Sequence, residues 1–297
     1  MGAEDAAVGR NPKIDFKKVQ AYRQIMSCGV IYVAIGEPYV KEAEVSARSL
    51  KRVSPTIQIA IITDQTRVPE GVFDKVISAA GDKGDSVTYA QRDRGNYYQK
   101  IGLMALTPFE RTIFLDTDTY VARPLEGLFT LLERYDMLVT PGSNAEVDYE
   151  FERQIEPFAS VPKEFGDINT GVLAYRWNDA VKSFFQNWTE NFNTHVRHLT
   201  SNDQPAFRLT LFQSTLRYHT LATSYNWVSW IPNFIPSGGG VVVLHGRNTW
   251  LQKWVKRLDA DAPTIVGRIS LKHQAVYYGA RLLYWMQRKG LVARPKV

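Results

Sequence analysis

The feature that most constrains this chain is a short apolar run that ends in two carboxylates. Ile113–Leu115 is followed directly by Asp116, Thr117 and Asp118. A buried strand that runs into a loop places such acids at its carboxyl end, where open α/β sheets bind ligands. Two close carboxylates repel each other unless a cation or a shared proton lies between them. The pattern favours a divalent-metal site, for Mn²⁺ or Mg²⁺, over the alternative of a solvated loop in which one acid caps a turn.

Apolar runs and segments with helical spacing alternate along the chain. The first half offers strands at Val30–Ile35, Ile57–Thr63, Val76–Ser78 and Thr112–Leu115, and helices at Tyr39–Arg52 and Tyr97–Leu106. The second half offers strands at Met137–Thr140, Gly171–Tyr175 and Val241–Leu244, and helices at Asp179–Phe192 and Asp203–Phe212. This order is typical of βαβ crossovers, so the predicted fold class is α/β with a mixed, mainly parallel sheet flanked by helices.

The sequence predicts a single large domain with a basic tail. No linker rich in Pro, Gly or Ser divides the chain, so we expect an N-terminal segment (1–27), one domain (28–257) and a helical C-terminal extension (258–297). The net charge of +6 resides in that extension, which has seven Lys and Arg residues and no acid after Asp261. The remaining 29 basic residues face 30 acids, so a nucleic-acid partner is not expected.

The basic extension has two interpretations. Its helical spacing over Leu271–Lys289 suits a cap that packs Tyr and Trp side chains on the core. It equally suits an interfacial helix that contacts an anionic membrane. Cys28 is the only cysteine, and no run approaches the ~20 apolar residues that span a bilayer. We therefore expect a cytoplasmic protein, with the extension as a candidate contact to the inner face of the membrane.

Four other residues carry possible chemistry. His245 ends an apolar run, where a neutral imidazole could bind Mn²⁺ or simply cap a strand. Lys100 lies on a predicted helix before the acidic pair and could neutralise a phosphate, although most single lysines are only solvated. Asp203 and Gln204 could hydrogen-bond sugar hydroxyls, since Ser201 or Asn202 suffices to cap the helix that follows.

The order of these motifs resembles a known family. The motifs are Tyr97-x-x-Lys100, Phe114-Leu-Asp-Thr-Asp-Thr-Tyr-Val121, Asn169-Thr-Gly-Val-Leu173, Asn202-Asp-Gln204 and His245-Gly-Arg247. Together they resemble the GT-A glycosyltransferases, especially the glycogenin-like family 8, over roughly residues 29–255. The resemblance implies a Rossmann-like GT-A fold and a nucleotide-sugar donor, commonly UDP-linked, held through Mn²⁺. It also implies transfer with retention to a saccharide, glycolipid or protein acceptor.

The resemblance also implies roles for individual residues. The metal ligands would be Asp116, Asp118 and His245. The donor would be held by Ala34, Gly36, Asp64, Lys100, Asp116, Thr117, Gly246 and Arg247. The reacting sugar would be contacted by Asn169, Asp203 and Gln204. The chain departs from the family after His245 and Gly246, where Arg247-Asn-Thr-Trp250 follows instead of the usual Lys-Pro-Trp and Arg247 would replace the lysine. Its first strand also lacks the frequent acidic or Asn residue that reads the base.

Two other functions fit parts of the pattern. Leu115-Asp-Thr-Asp-Thr119 also resembles the first motif of haloacid-dehalogenase-like phosphatases, in which Asp116 would be the nucleophile and Asp118 an acid/base. That motif normally lies near the N-terminus, whereas three βα-like elements precede it here. A module that binds a nucleotide-sugar without turning it over is the other alternative.

Overall fold

The computed structural model describes residues 28–79, 96–142, 150–200, 202–228 and 240–246. These residues form the strands β1 (Cys28–Ala34), β2 (Gln58–Thr63), β3 (Lys75–Ser78), β4 (Arg111–Leu115), β5 (Thr119–Val121), β6 (Met137–Pro141), β7 (Ile168–Arg176), β8 (Tyr218–Thr220), β9 (Trp227–Val228) and β10 (Val243–His245). The helices are α1 (Glu37–Val53), α2 (Asn96–Met104), α3 (Glu126–Leu131), α4 (Asp179–Asn191) and α5 (Gln204–Gln213).

The main sheet has seven strands in the order β3-β2-β1-β4-β7-β6-β8. Strands β1 to β4 run parallel, β7 runs antiparallel to both of its neighbours, and β8 pairs in parallel with β6. Every strand of this sheet except β7 therefore points the same way. The prediction of a mixed, mainly parallel sheet flanked by helices is confirmed.

The strand order reverses at β1, and this creates a ligand crevice. Strands β2 and β3 lie on one side of β1, and β4 lies on the other. Where the order reverses in an open α/β sheet, the loops at the carboxyl ends diverge and leave a crevice. Ala34 ends β1 and Asp116 follows β4, so both lie at this crevice.

Alternating side chains of the sheet build two apolar cores. Val30 and Tyr32 of β1 pack on the α1 side, with Val40, Ala43 and Leu50 of the helix. Ile31 of β1 packs on the opposite side, with the aromatic side chains of α4 and α5, which are Phe184, Phe185, Trp188 and Phe207. Burying each large apolar side chain contributes roughly 1.5–3 kcal/mol, so both faces hold the crevice firmly.

A second sheet of three short strands, in the order β5-β10-β9, lies beside the acidic pair. Strand β10 pairs antiparallel with β5 so that His245 is opposite Thr119, and Gly246 N donates to Asp118 O at 3.0 Å. Helix α1 fixes β5, because Ser49 Oγ accepts from Val121 N at 2.8 Å. This sheet is what carries His245 to the residues that follow β4.

Some predicted boundaries and elements were wrong or incomplete. His245 was predicted to end an apolar strand, and it is the last residue of β10, but that strand begins at Val243 rather than at Val241, because its pairing with β5 begins there. Asn169 was predicted to precede its strand, but it lies inside β7, because the antiparallel pairing with β6 continues to Thr140 and Pro141. Strands β5, β8 and β9 and helix α3 were not predicted.

Several predictions concern parts of the chain that the structure does not describe. The N-terminal segment 1–27, the extension 258–297 with its helix at Leu271–Lys289, and Arg247 all lie outside the described residues. Among the helices that are described, none combines the length and the apolar character that crossing a bilayer requires.

Candidate active site

Three predicted metal ligands meet at the carboxyl end of β4. One ligand atom from each of Asp116, Asp118 and His245 lies within 4.8 Å of the others. His245 Nε2 is 3.4 Å from Asp118 Oδ1 and 3.6 Å from Asp116 Oδ2. Asp118 and His245 are buried, and Asp116 is partly exposed to the crevice. Among the described residues of the cluster, Asp116 is therefore the one that a ligand in the crevice would meet first.

Backbone pairing fixes where these side chains point. Asp116 N donates to Gly171 O of the neighbouring strand β7 at 2.8 Å. Thr119 Oγ1 donates to Asp116 O at 2.8 Å and is itself hydrogen-bonded to Ser46 of α1 at 2.7 Å. The turn from Asp116 to Thr119 is held from both sides, so the carboxylates keep their positions relative to the sheet.

Gly171 leaves the room that the cluster needs. A Cβ atom at this position would collide with His245 Cε1 and would lie 2.8 Å from Asp116 Oδ2. Any other residue here would push the imidazole and the carboxylate out of place. The bare backbone of β7 therefore forms one wall of the site.

A partly buried lysine links the metal cluster to Asp203. Lys100 Nζ is 2.9 Å from Asp116 Oδ1 and 3.7 Å from Asp203 Oδ2. Asp203 is 1% exposed, and its other oxygen accepts from Thr170 Oγ1 at 2.9 Å. Burial raises the pKa of Asp203, and the charge of Asp116 adds to that rise, while Lys100 opposes it.

The electrostatics of the cluster favour a cation between its members. Burial acts to raise the pKa of Asp116, but Lys100 and His245 outweigh it and hold that pKa well below its ordinary value. Burial acts to lower the pKa of His245, but the carboxylates of Asp118 and Asp116 raise it to about 9. The same carboxylates would attract a metal ion, and binding of a metal to His245 would release its extra proton.

The donor atoms fit a divalent metal. Two carboxylates and one imidazole nitrogen are a set that Mn²⁺ accepts well, and a partly exposed cluster leaves positions for further oxygen ligands. His245 Nδ1 meets Asn226 Oδ1 at 2.8 Å, and metal-binding histidines usually have such a partner on the second ring nitrogen.

The residues expected at the nucleotide end also lie at the crevice. Ala34 ends β1, and Gly36 opens the following turn with φ 99°, a left-handed conformation that favours glycine. Gly36 N donates to Asp64 Oδ1 at 2.8 Å, and the same oxygen accepts from Gln65 Nε2 at 2.8 Å. Asp64 therefore holds the β1–α1 turn in place at the end of β2.

Other predicted site residues have different placements. Thr117 lies between the two acids, but its hydroxyl donates to Glu42 Oε2 of α1 at 2.8 Å, and it is buried. Gln204 begins α5 directly after Asp203, and its N–H donates to Asn202 Oδ1 at 3.0 Å. Asp203 occupies the N-cap position but its side chain makes no capping hydrogen bond, and Asn202 supplies the acceptor for the first helical N–H instead. Gly246 follows His245 with φ 114°.

The sequence did not predict the roles of three residues of the site. They are Asn226, which contacts His245; Thr170, which contacts Asp203; and Gly171 as a wall of the metal cluster. Thr170 and Gly171 belong to the recognised Asn-Thr-Gly motif, so that motif could have pointed to them. Asn226 stands between two aromatic residues in no motif, and only the pairing of β9 with β10 reveals its place.

Comparisons with known proteins agree with this geometry. Residues 111–256 match the family model described as nucleotide-diphospho-sugar transferase. That segment begins at β4 and contains Asp116, Asp118 and His245. A search of the curated proteins found no match.

Three solved glycosyltransferase structures have a similar fold. The bifunctional glycosyltransferase WbbM in its apo form has a TM-score of 0.53 and 11% identity over 86% of this chain and 51% of WbbM. The galactosyltransferase LgtC, in complex with donor and acceptor sugar analogs, has a TM-score of 0.52 and 15% identity over 83% of this chain and 99% of LgtC. GlyE from Streptococcus pneumoniae TIGR4 has a TM-score of 0.51 and 15% identity over 92% of this chain and 66% of GlyE.

The fold is that of the GT-A glycosyltransferases, and residues 111–256, about half of the chain, match the nucleotide-diphospho-sugar transferase family model. Within that class the chain resembles the glycogenin-like family 8. The chain spans about half of the WbbM chain and nearly the whole of LgtC.

Proposed function

We propose that this protein is a metal-dependent transferase that moves a sugar from a nucleotide-sugar, UDP-linked, to an acceptor hydroxyl with retention. The observation that supports this most is the meeting of Asp116, Asp118 and His245 at the switch point of the sheet. Open α/β sheets bind nucleotides at that point, and a metal held by a few protein ligands is completed by phosphates. Bound Mn²⁺ or Mg²⁺ would supply a Lewis acid for the leaving diphosphate.

The chain's own residues would bind and orient the donor around that centre. The turn from Ala34 to Gly36, braced by Asp64, would receive the nucleoside, since it lies across the crevice from Asp116. Gly246, and Arg247 beyond the described residues, would approach the diphosphate. Lys100 would add positive charge where the leaving group becomes more negative.

The sugar would lie between β7 and the start of α5. Asn169 uses its Oδ1 to accept from Gly171 N and Asn226 Nδ2, which fixes the orientation of its amide. Its Nδ2 would then be available to donate to a sugar hydroxyl. Asp203 would accept from another sugar hydroxyl through Oδ2, a buried oxygen that has no hydrogen-bond partner among the described residues.

Gln204 is the proposed side chain nearest the reacting face. It is neutral, and Asp203 is turned toward Lys100 and Thr170, so neither is poised as a nucleophile. We therefore favour attack by the acceptor hydroxyl on the same face that the diphosphate leaves, with a phosphate oxygen taking the proton. This route gives retention without a covalent sugar–enzyme bond.

The acceptor is proposed to be a saccharide, glycolipid or protein hydroxyl. The basic extension supports a lipid-linked acceptor at an anionic membrane, because the part after Asp261 holds seven cations and no acid. Intact protein should sediment with anionic vesicles, and a version truncated after Asp261 should not. Equal sedimentation of the two would remove the membrane contact from the proposal.

The decisive experiment for the activity uses a panel of nucleotide-sugars with and without Mn²⁺. One donor should raise the melting temperature only when Mn²⁺ is present, because a ligand that binds the native state stabilises it. The same donor should release its nucleotide, and Asp116→Asn should abolish that release and sugar transfer.

Other outcomes would favour the alternatives. Phosphate release from a generic ester, with no response to nucleotide-sugars, would favour a phosphatase with Asp116 as nucleophile. Stabilisation by a nucleotide-sugar without any turnover, for all acceptors tested, would favour a binding module. Unchanged turnover in Asp116→Asn would reject the metal role of that residue.

A further inference from the structure

We infer that Asn226 is the positioning residue that sets the tautomer of His245, so that Nδ1 carries the proton and the Nε2 lone pair faces the two carboxylates. Asn226 lies just before β9, is 4% exposed, and meets His245 Nδ1 with its side-chain Oδ1. Its effect on the proposed transfer rests on the proposed function, whereas the tautomer itself does not. Four hydrogen bonds carry the inference.

The hydrogen bonds can be assigned in one direction, starting from a backbone group. Gly171 N–H can only donate, and it meets the Asn169 side chain at 2.8 Å, so the atom there is Oδ1. That oxygen can only accept, so the Asn226 atom 2.7 Å away is Nδ2. The remaining side-chain atom of Asn226 is therefore its oxygen, and this oxygen faces His245.

A second contact gives the same orientation of Asn226. Its Nδ2 also donates to Thr140 Oγ1 at 2.9 Å. The Thr140 hydroxyl has backbone oxygens of Asn169 and Val172 at 3.2 Å to receive its own proton, so it can accept from Asn226. Both hydrogens of the amide are thus used, and turning the amide round would lose the bond to Asn169 Oδ1 and place two oxygens against each other.

The orientation of the Asn226 amide determines which nitrogen of His245 carries the hydrogen. Asn226 Oδ1 lies 2.8 Å from His245 Nδ1, so Nδ1 must carry a hydrogen. A neutral imidazole with that hydrogen has its lone pair on Nε2, which is 3.4 Å from Asp118 Oδ1 and 3.6 Å from Asp116 Oδ2. A lone pair among carboxylate oxygens is unfavourable alone and favourable toward a cation. Asn226 therefore prepares the histidine to bind a metal through Nε2.

The first test measures Mn²⁺ affinity by calorimetry on the full chain. Asn226→Ala should weaken Mn²⁺ binding about 10–100-fold, the usual effect of removing a partner of a metal ligand. Asn191→Ala is the matched control, because Asn191 also donates from Nδ2 to a threonine hydroxyl but lies on α4. Its affinity should stay within twofold of the parent.

The conservative variant separates tautomer control from simple folding. Asn226→Asp keeps an oxygen toward Nδ1, so Mn²⁺ affinity should stay close to that of the parent. Its second oxygen would meet Asn169 Oδ1, so its melting temperature should fall. A loss of affinity in Asn226→Asp as large as in Asn226→Ala would overturn the inference.

The second test observes the proton directly by ¹⁵N NMR of the metal-free chain at pH 10, with His245→Gln used to assign the signal. The parent should show hydrogen on Nδ1, and Asn226→Ala should shift the population toward hydrogen on Nε2. Hydrogen on Nε2 in the parent would overturn the inference. If the parent has hydrogen on Nδ1 but turns over no nucleotide-sugar, the inference holds and the proposed function fails. If it turns over a nucleotide-sugar but has hydrogen on Nε2, the proposed function holds and the inference fails.

Discussion

Two buried acidic clusters lie at opposite ends of the main sheet, and they are built for different purposes. At the amino end of β6, Asp136 accepts hydrogen bonds from Asn178 Nδ2 at 2.9 Å and from the guanidinium groups of Arg176 and Arg217 at 3.3 Å. At the carboxyl end of β4, Asp116 and Asp118 both lie close to His245 Nε2. In the first cluster, hydrogen-bond donors surround a single carboxylate. In the second, two carboxylates lie close together.

The charge balance explains the difference. Burial acts to raise the pKa of Asp136, but its hydrogen bonds to Arg217 and Asn178 outweigh it and lower that pKa. Among the described residues of the other cluster, Asp116, Asp118 and Asp203 outnumber the cations Lys100 and His245. A cluster that satisfies itself stabilises the fold, and a cluster with excess acid needs a cationic ligand.

The largest expected effect comes from removing one charge of the metal cluster. Asp118→Asn should reduce Mn²⁺ affinity by more than the ~10–100-fold that is typical of residues just outside a metal's ligands, because it removes a ligand itself. Nucleotide-sugar turnover should fall with it. Calorimetry and a nucleotide-release assay measure both quantities. A variant that binds Mn²⁺ as tightly as the parent would contradict the metal-binding role of this cluster.

A methyl group on the wall of the site should have the next largest effect. Gly171→Ala should weaken Mn²⁺ binding at least about tenfold, comparable to the loss of a residue beside the metal ligands, because its Cβ would displace His245 and Asp116. Gly127→Ala on α3 is the matched control, since a Cβ there meets nothing within 4 Å. The control should be neutral or stabilising by about 0.4–1 kcal/mol in urea unfolding. Equal Mn²⁺ affinities in the two variants would show that Gly171 is not a wall.

The opposite cluster should affect stability and leave metal binding unchanged. Asp136→Asn should lower the free energy of unfolding by about 1–3 kcal/mol, because Arg176, Arg217 and Asn178 lose a charged acceptor. Urea denaturation measures the loss, and calorimetry should give a Mn²⁺ affinity within twofold of the parent. If Mn²⁺ binding fell as far as in Asp118→Asn, the two clusters would not be distinct.

Replacing Asp203 should make the folded state more stable, because its buried charge lowers the free energy of unfolding. The pKa of this buried acid is raised, so its charged form destabilises the folded state. This destabilisation is complete at pH values above the pKa of the folded state and absent at pH values below the pKa of the unfolded state. Asp203→Asn should therefore raise the melting temperature at pH 7 by ~2–4 °C, the effect of about 1 kcal/mol in a domain of this size, while transfer is lost. The gain should shrink as the pH falls toward 4. Scanning calorimetry at several pH values tests this, and a lower melting temperature at pH 7 would contradict it.

The sequence predicted much of the fold where apolar runs are long. β1, β2 and β4 are continuous apolar runs, and α1 has clear helical spacing, so these elements were placed to within about two residues. β5, β8 and β9 have two or three residues each, too few for a period to appear. The direction of β7 could not be predicted either, because an apolar run does not record whether its neighbours are parallel.

The candidate site was predictable where the chemistry is local. The acidic pair after β4 and the histidine of β10 were identified from residue type and position, and the structure brings their side chains together. The roles of Gly171 and Asn226 depend on which strands pair. β7 brings Gly171 beside Asp116, and β9 brings Asn226 beside His245. Such contacts between distant segments leave no local pattern.

The central claim is that a divalent ion binds between Asp116, Asp118 and His245 and joins them to a nucleotide diphosphate. Its most direct test is anomalous diffraction at the manganese edge from crystals grown with Mn²⁺ and uridine diphosphate. The account predicts one strong peak in bonding contact with both carboxylates and His245 Nε2, with phosphate oxygens completing the shell. Nucleotide bound elsewhere, or a pocket without an anomalous peak in the presence of bound nucleotide, would contradict it.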